Sequence, residues 1–522
     1  MSPASSSHHQ PLSSLPVELL IDILCALDCP ALLACRQVSK LFDALISQIS
    51  SLQLVIELYA AGQEDGPKPT FGPAARLEAL EKHQAAWDNF DWTKDQSIPM
   101  LGGGLWELYG GVLAQSTTDG AICLRRLASD CRSIPELEWT VGGFGFPVRD
   151  FSLDPSQDLL VLVEAPKWSG PNPDHNYRFH LRTLSSGGQH PLAFNPAVIC
   201  HPQTTEDMQM TYTMQISEDH FGVLFNSLND GENEFCIWEW KSGRREVDLT
   251  GDEIRSFSFF SGQCVVLALL NVSEQTLDLE PILLVLDFTK ESDEIHDVTD
   301  VENGVSFPYP RLHPDAGPVK FEIRSDPAPA FIPDPSLHVP FFTARHNRLF
   351  IASLSVLFQG RLQCILLFAP FVTFRSCLDN LTAGQTVVDW NIWGPTGSRI
   401  IVPRRHPSDV WVCYVNGSKY AALQKKKNRI AVEVYDFNRW QLQRTSQKDR
   451  EANPGVRYEM DKSVFEAGSV FEHQVETSLP YRLRTLPLDT RYTSNLAIMC
   501  SEDNLIIVDT HVDRREYRVL SF

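Results

Sequence analysis

Residues able to do bond chemistry abound in this 522-residue chain, but they do not stand at the spacings such chemistry requires. Fifteen histidines, 66 aspartates and glutamates and twelve cysteines are scattered along it. No phosphate-binding Gly-Lys loop, His-Glu-x-x-His helix or Gly-x-Ser-x-Gly elbow occurs. Cys-x-x-Cys pairs are likewise missing, so neither a zinc cluster nor a dithiol redox centre has its usual ligand spacing. The patches Gly102-Gly103-Gly104 and Gly142-Gly143-x-Gly145 lie between short β runs and lack the following helix of a dinucleotide site, so they read as turns. From spacing alone the expectation is no catalytic residue, no cofactor and no metal. The chemistry left is that of surfaces.

One stretch has a marked excess of surface to bury. Residues 12–58 read LSSLPVELLIDILCALDCPALLACRQVSKLFDALISQISSLQLVIEL. About 50 residues bury only ~60% of the surface their unfolded chain exposes, so this much apolar side chain needs a further partner. Pro16 suits a first helical turn. With Leu15 as N-cap, Glu18 would stand at the third position and reach back as half of a capping box. Leu19, Leu20, Ile23, Leu24 and Leu27 recur at helical steps. Asp28 and Pro30 start a second helix carrying Leu32, Leu33, Cys35 and Val38. Ser39 caps a third, with Leu41, Phe42, Leu45 and Ile46, which ends before the break Gly62–Gly72. Helical periodicity equally suits a small subdomain packed on its own chain.

The ordered set Leu-Pro-x-Glu-Leu, Ile-Leu, then Leu-Leu-x-Cys-Arg-x-Val-Ser-x-x-Phe resembles the F-box, the helical module that docks on the SKP-type adaptor of cullin–RING ubiquitin ligases. The resemblance covers only residues 12 to about 58. It implies that Leu15, Pro16, Leu19, Ile23, Leu24, Leu27, Leu33, Val38 and Phe42 face the adaptor or the module's own core, with Glu18 in the acidic slot. It further implies a non-catalytic substrate receptor, whose remaining chain holds an unknown target protein for ubiquitination. A scaffold that uses the module outside ubiquitination is the alternative, and a propeller hydrolase with a helical appendage is a third.

Composition narrows the partners. Forty-five basic against 66 acidic residues leave a formal charge of −21, which opposes nonspecific binding to nucleic acid or to an anionic membrane. No apolar run reaches 18 residues. The first eleven residues, polar and lacking the pattern of a signal peptide, are expected to be a disordered lead. Scattered cysteines suit reduced thiols in the cytosol or nucleus.

Beyond the break, Pro73 opens a helix with Leu77, Leu80 and Trp87 on one face, followed by Phe90 and Trp92. It is expected to be a spacer between module and body, within a linker of residues 62–98. From residue 99 onward short apolar or β-branched runs alternate with turn clusters. Hairpin-like units include Asp150–Val163, Met214–Phe225, Ile254–Leu267, Trp393–Val402 and Leu496–Val508. Further hairpins are expected over Phe235–Glu246 and Phe179–His190. Two hairpins make a four-stranded sheet, and about seven such units fit the length. The fold class is therefore α+β multidomain: the helical module over 12–61, a linker helix, then an all-β body resembling WD-repeat propellers in strand pattern but lacking their Gly-His and Trp-Asp signatures. A pair of β-sandwiches or an irregular barrel are the alternatives. A strand near Leu105–Ala114 is expected to close the ring on Leu496–Phe522, and the proline-rich stretch Pro308–Pro340 to form an exposed insertion. Lys425-Lys426-Lys427 with Arg429, and Arg404-Arg405, read as solvated hairpin tips or a nuclear import signal.

Overall fold

The computed structural model describes residues 15–168, 173–203, 210–227, 232–273, 278–291, 294–403, 413–426, 429–445, 455–488, 496–511 and 514–522. The expected N-terminal lead, the Arg404-Arg405 pair and the side chains of the Lys425–Arg429 cluster lie outside the described residues.

Helix α1 spans Val17–Cys25. Its N-cap is Pro16, whose carbonyl accepts the Leu20 N–H at 3.1 Å, and no side chain caps it. The start is one residue later than expected. Glu18 therefore falls at the second position, where no capping box forms and its carboxylate only complements the positive helix end. Helix α2, Cys29–Val38, is capped by Asp28, which accepts the Ala31 N–H at 2.9 Å. Helix α3, Lys40–Gln48, is capped by Ser39 Oγ, which accepts the Phe42 N–H at 3.2 Å. The third helix does not run on to Gly62. It breaks at extended Ile49, and α4, Ser50–Ala61, leaves at 81°. Leu20, Leu24, Leu32, Phe42, Ile46, Leu52 and Ile56 form the module's buried core. Among the described residues no single helix is long and apolar enough to cross a membrane.

The body is a propeller of seven sheets, each of four or five strands. In six sheets the first strand in sequence borders a central channel, and in the closing sheet the inner strand is Leu496–Cys500. These inner strands are Trp106–Tyr109, Asp150–Asp154, Thr211–Ser217, Ile254–Phe259, Gly317–Arg324, Val415–Asn416 and Leu496–Cys500. Their successors run antiparallel outward, in the short-range hairpins that alternation predicts. Asp150–Val163, Met214–Phe225, Ile254–Leu267, Phe235–Glu246 and Leu496–Val508 are such hairpins.

Four expectations are corrected. The closing strand is Lys94–Pro99, paired antiparallel to Arg514–Ser521 from Lys94↔Ser521 to Pro99↔Glu516. The propeller thus begins inside the stretch expected to be linker, while Trp106–Tyr109 and Val112–Ser116 open the first blade. As the outermost strand of its blade, Lys94–Pro99 buries only Ile98, so it carries almost no apolar signal. Trp393–Val402 is not a hairpin. Trp390–Gly397 is a helix with Pro395 in its last turn, and Arg399–Ile401 pairs singly with the preceding long strand. The turn after Phe179 does not return a partner strand at once; that partner is Val198–Pro202. Finally, Pro308–Pro340 is no exposed insertion. It supplies the inner strand Gly317–Arg324, which tolerates Pro318 because it is a sheet edge and bulges there. Part of the remainder packs inward, Pro327, Pro329 and Pro333 being buried and Phe331 standing edge-on to Tyr109 at 5.5 Å, while residues such as Arg311, Pro314 and Pro335 stay exposed.

Candidate protein-docking site

Helical spacing in α1–α3 puts one set of apolar side chains inside the module and a second outside. Leu19 is 49% exposed, Ile23 40%, Leu33 39% and Val38 74%, with Val17 and Leu41 beside them in sequence and also exposed. Pro16 and Glu18 are exposed too. Leu15 and Leu27 are half-buried against the module core. Leu24 and Phe42, which the motif alone could not assign, are core residues closed to any partner. The structure thus divides the ten expected positions: Pro16, Glu18, Leu19, Ile23, Leu33 and Val38 are presented, Leu15 and Leu27 are partly so, and Leu24 and Phe42 support them from beneath. Fully burying one such Leu or Ile would contribute ~1.5–3 kcal/mol, so a handful of anchors suffices for tight docking.

The apolar side chains of α4 are treated differently. Leu54, Leu58 and Ala61 pack with Leu80 of helix α5, Pro73–Asn89, and with Phe341 of the propeller. Gly62 ends α4 in the left-handed region (φ +69°), where a Cβ would also collide with Asn347. The chain then pairs Gln63–Asp65 with Phe341–Thr343 of the body. Arg444 grips Glu57 through two hydrogen bonds of 2.6 and 2.7 Å, and Asn438 Nδ2 donates to the Ala60 carbonyl at 3.0 Å.

Helix α5 is fastened by charge and by rings. Trp87 stacks on Phe522 at 4.2 Å and donates to the Glu502 carbonyl at 3.0 Å. His83 meets Asp503 at 3.1 Å, and Arg132 donates to the same carboxylate at 2.8 Å. Asp88 lies 3.0 Å from Arg482, which also pairs with Asp436. Burial pushes the Asp436 carboxyl upward, but Arg482, Lys419 and hydrogen bonds from Ser418 and the Asn438 N–H outweigh it and hold Asp436 at about 2. Module and propeller are therefore joined by packed, hydrogen-bonded and ion-paired contacts through α4 and α5.

At the centre, a cavity of about 250 Å³ is lined by inner strands, with Glu107, Asp150, Tyr212, Arg324 and Asp326 among its walls. Burial and the neighbouring Asp150 push Glu107 well above the usual carboxylate range, and burial lifts Asp326 to about 6 against Arg324 and Arg348. Proline-rich residues Pro327, Phe331, Pro333 and Leu337 close over the channel where the inner strands turn back, beside Thr343 of the strand that receives the module. Away from the channel, His201, Glu234, Cys236 and Asp248 converge between the second and third blades. No sequence spacing marks them, because two blades contribute them.

A family profile described as F-box-like matches residues 12–52. The N-terminal module is an F-box. F-box modules as a class bind SKP-type adaptors, and this one precedes a seven-bladed propeller. No curated protein matches the sequence. Solved structures with a similar course include Kluyveromyces lactis Hsv2, at 9% identity and a TM-score of 0.35, covering 82% of this chain and 98% of that one. Prolyl oligopeptidase B from Galerina marginata aligns at 12% identity and 0.35, covering 71% of this chain and 45% of that one. The β-propeller domain of the Trilobed protease from Pyrococcus furiosus aligns at 10% and 0.22, covering 70% and 92%. Similarity at this level says nothing about activity.

Proposed function

We propose that this chain is a substrate-receptor subunit of a SKP–cullin–F-box ubiquitin ligase, working in the cytosol or nucleus. The observation that carries the proposal is the exposed apolar set Pro16, Leu19, Ile23, Leu33 and Val38, with Val17 and Leu41 beside them in sequence, on a module whose remaining apolar side chains pack into its own core or onto the body. An adaptor seated on this set joins the chain to the cullin, and the propeller holds a target protein. The chain does no bond chemistry in this scheme. Its contribution is proximity, since tethering raises the local concentration of target lysines near the charged conjugating enzyme. The fastening of α4 and α5 to the propeller supports that role, because an F-box so held orients the propeller. Twelve free cysteines suit a reducing compartment.

Purification of the tagged full-length chain from cells, with blotting for adaptor and cullin, tests the proposal. Both should co-purify with the wild type, and both should be lost with Leu19→Asp plus Ile23→Asp while the melting temperature stays the same. Adaptor without cullin would favour a scaffold outside ubiquitination. Retention of the adaptor by the double variant would remove the proposal.

A further inference from the structure

The seam between blades two and three holds a cluster that the receptor role does not use. His201 lies on the outermost strand of blade two, Val198–Pro202, and its ring is buried against Phe225 (4.6 Å, stacked) and edge-on to Trp238 (5.8 Å). Glu234 and Cys236 alternate along one strand of blade three, so both point to the same side, and Asp248 is the cross-strand partner of Cys236. Cys236 and Asp248 are fully buried. His201 Nε2 is 3.1 Å from Glu234 Oε2, Cys236 Sγ is 3.7 Å from Glu234 Oε1, and the same sulfur is 3.6 Å from Asp248 Oδ1. The donor atoms of His201, Glu234 and Cys236 all lie within 4.8 Å of one another.

These separations match a coordination shell. Zinc bonds of about 2.0–2.3 Å to nitrogen, oxygen and sulfur, arranged tetrahedrally, put neighbouring ligand atoms roughly 3.3–3.7 Å apart. We propose that His201, Glu234 and Cys236 form a structural site for a zinc-class divalent cation that clips blade two to blade three, with Asp248 beside the Cys236 sulfur. Imidazole, thiolate and carboxylate together suit a borderline-soft ion rather than calcium or magnesium, which prefer oxygen alone. Other His–carboxylate pairs of the propeller show the contrast. His180–Glu164 (2.9 Å) and His220–Glu246 (3.4 Å) bring no thiol. At the proposed site a thiol joins the imidazole and a carboxylate, while Asp248 lies beside the thiol and is ion-paired to Arg245. Binding replaces the Cys236 S–H proton, which leaves to solvent, by the metal ion. The donors come from two adjacent blades, and His201 and Cys236 are buried away from the central channel, so the role is structural.

The test uses the purified full-length chain, stripped with chelator and titrated with zinc, then with cobalt as a coloured substitute. One equivalent should bind, a thiolate-to-cobalt charge-transfer band should develop, and zinc should raise the melting temperature. Cys236→Ser should lose the band and the zinc-dependent rise. Cys200→Ser, a neighbour of His201 with an exposed thiol, should keep both. His201→Gln gives a second variant if Cys236→Ser does not fold, and should bind zinc at least about tenfold more weakly. Failure of the wild type to hold one equivalent, a band that survives Cys236→Ser, or a melting temperature indifferent to zinc would each overturn the proposal and leave a closed hydrogen-bond network. Adaptor binding is not measured here, so the result stands apart from the ligase reading.

Discussion

Helices α1–α3 and helices α4–α5 are neighbours of similar apolar content that meet opposite fates. In the first group Leu19, Ile23, Leu33 and Val38 face solvent; in the second Leu54, Leu58, Leu80 and Trp87 are covered by each other and by the propeller. The same side-chain types therefore do two jobs, set by which helix carries them. Covered apolar surface holds the module to its own body, whereas the uncovered set faces solvent. After the 81° break at Ile49, α4 packs both ways, Leu52 and Ile56 into the module core and Leu54 and Leu58 against α5 and Phe341 of the body.

Substitutions on the two sides should part company sharply. The largest effect is expected at Asp436, whose removal leaves the nearly buried Arg482 with only the part-exposed Asp88: Asp436→Asn should cost up to about 3–5 kcal/mol in denaturant unfolding. Because folding lowers this carboxyl to about 2, its contribution is complete above the unfolded value near ~4 and is lost as pH falls from there through about 2. That loss amounts to ~2–3 kcal/mol, visible as a steep acid limb in melting temperature that Asp436→Asn flattens. Next comes Leu80→Ala, which empties a fully buried position between α4 and the propeller and should cost ~2–5 kcal/mol. By contrast Leu19→Ala and Ile23→Ala should leave stability within ~0.5 kcal/mol of wild type, the range for surface sites. A large loss there would mean that the exposed set is structural after all. A small change is also expected for Arg444→Ala. The Glu57 pair it breaks is half-exposed despite its two-pronged geometry, so a double-mutant cycle should return only ~0.2–1 kcal/mol.

Legibility in the sequence followed the locality of the signal. The caps Asp28 and Ser39 and the hairpins at Asp150, Met214 and Leu496 each rest on residues a few positions apart, and they stand where pattern placed them. The exposed half of the F-box was readable as a motif, but the split between Leu19 outside and Leu24 inside needed the packed helices. Lys94–Pro99 escaped because an outer strand with one buried side chain has no period to detect. Prolines between 308 and 340 misled because they argue against a central strand, not against an inner edge. His201 lies 33 residues before Glu234 in sequence, and only the meeting of two blades brings them within hydrogen-bond reach.

The ring is fastened by a strand made early and a strand made last. Lys94–Pro99 must wait for Arg514–Ser521, more than 400 residues later, before its backbone groups find partners. At ~5–20 residues per second, synthesis keeps that edge open for roughly 20–80 s. The N-terminal helices leave the ribosome early in that interval, before Phe341–Thr343, which pairs with the segment after α4, has been made.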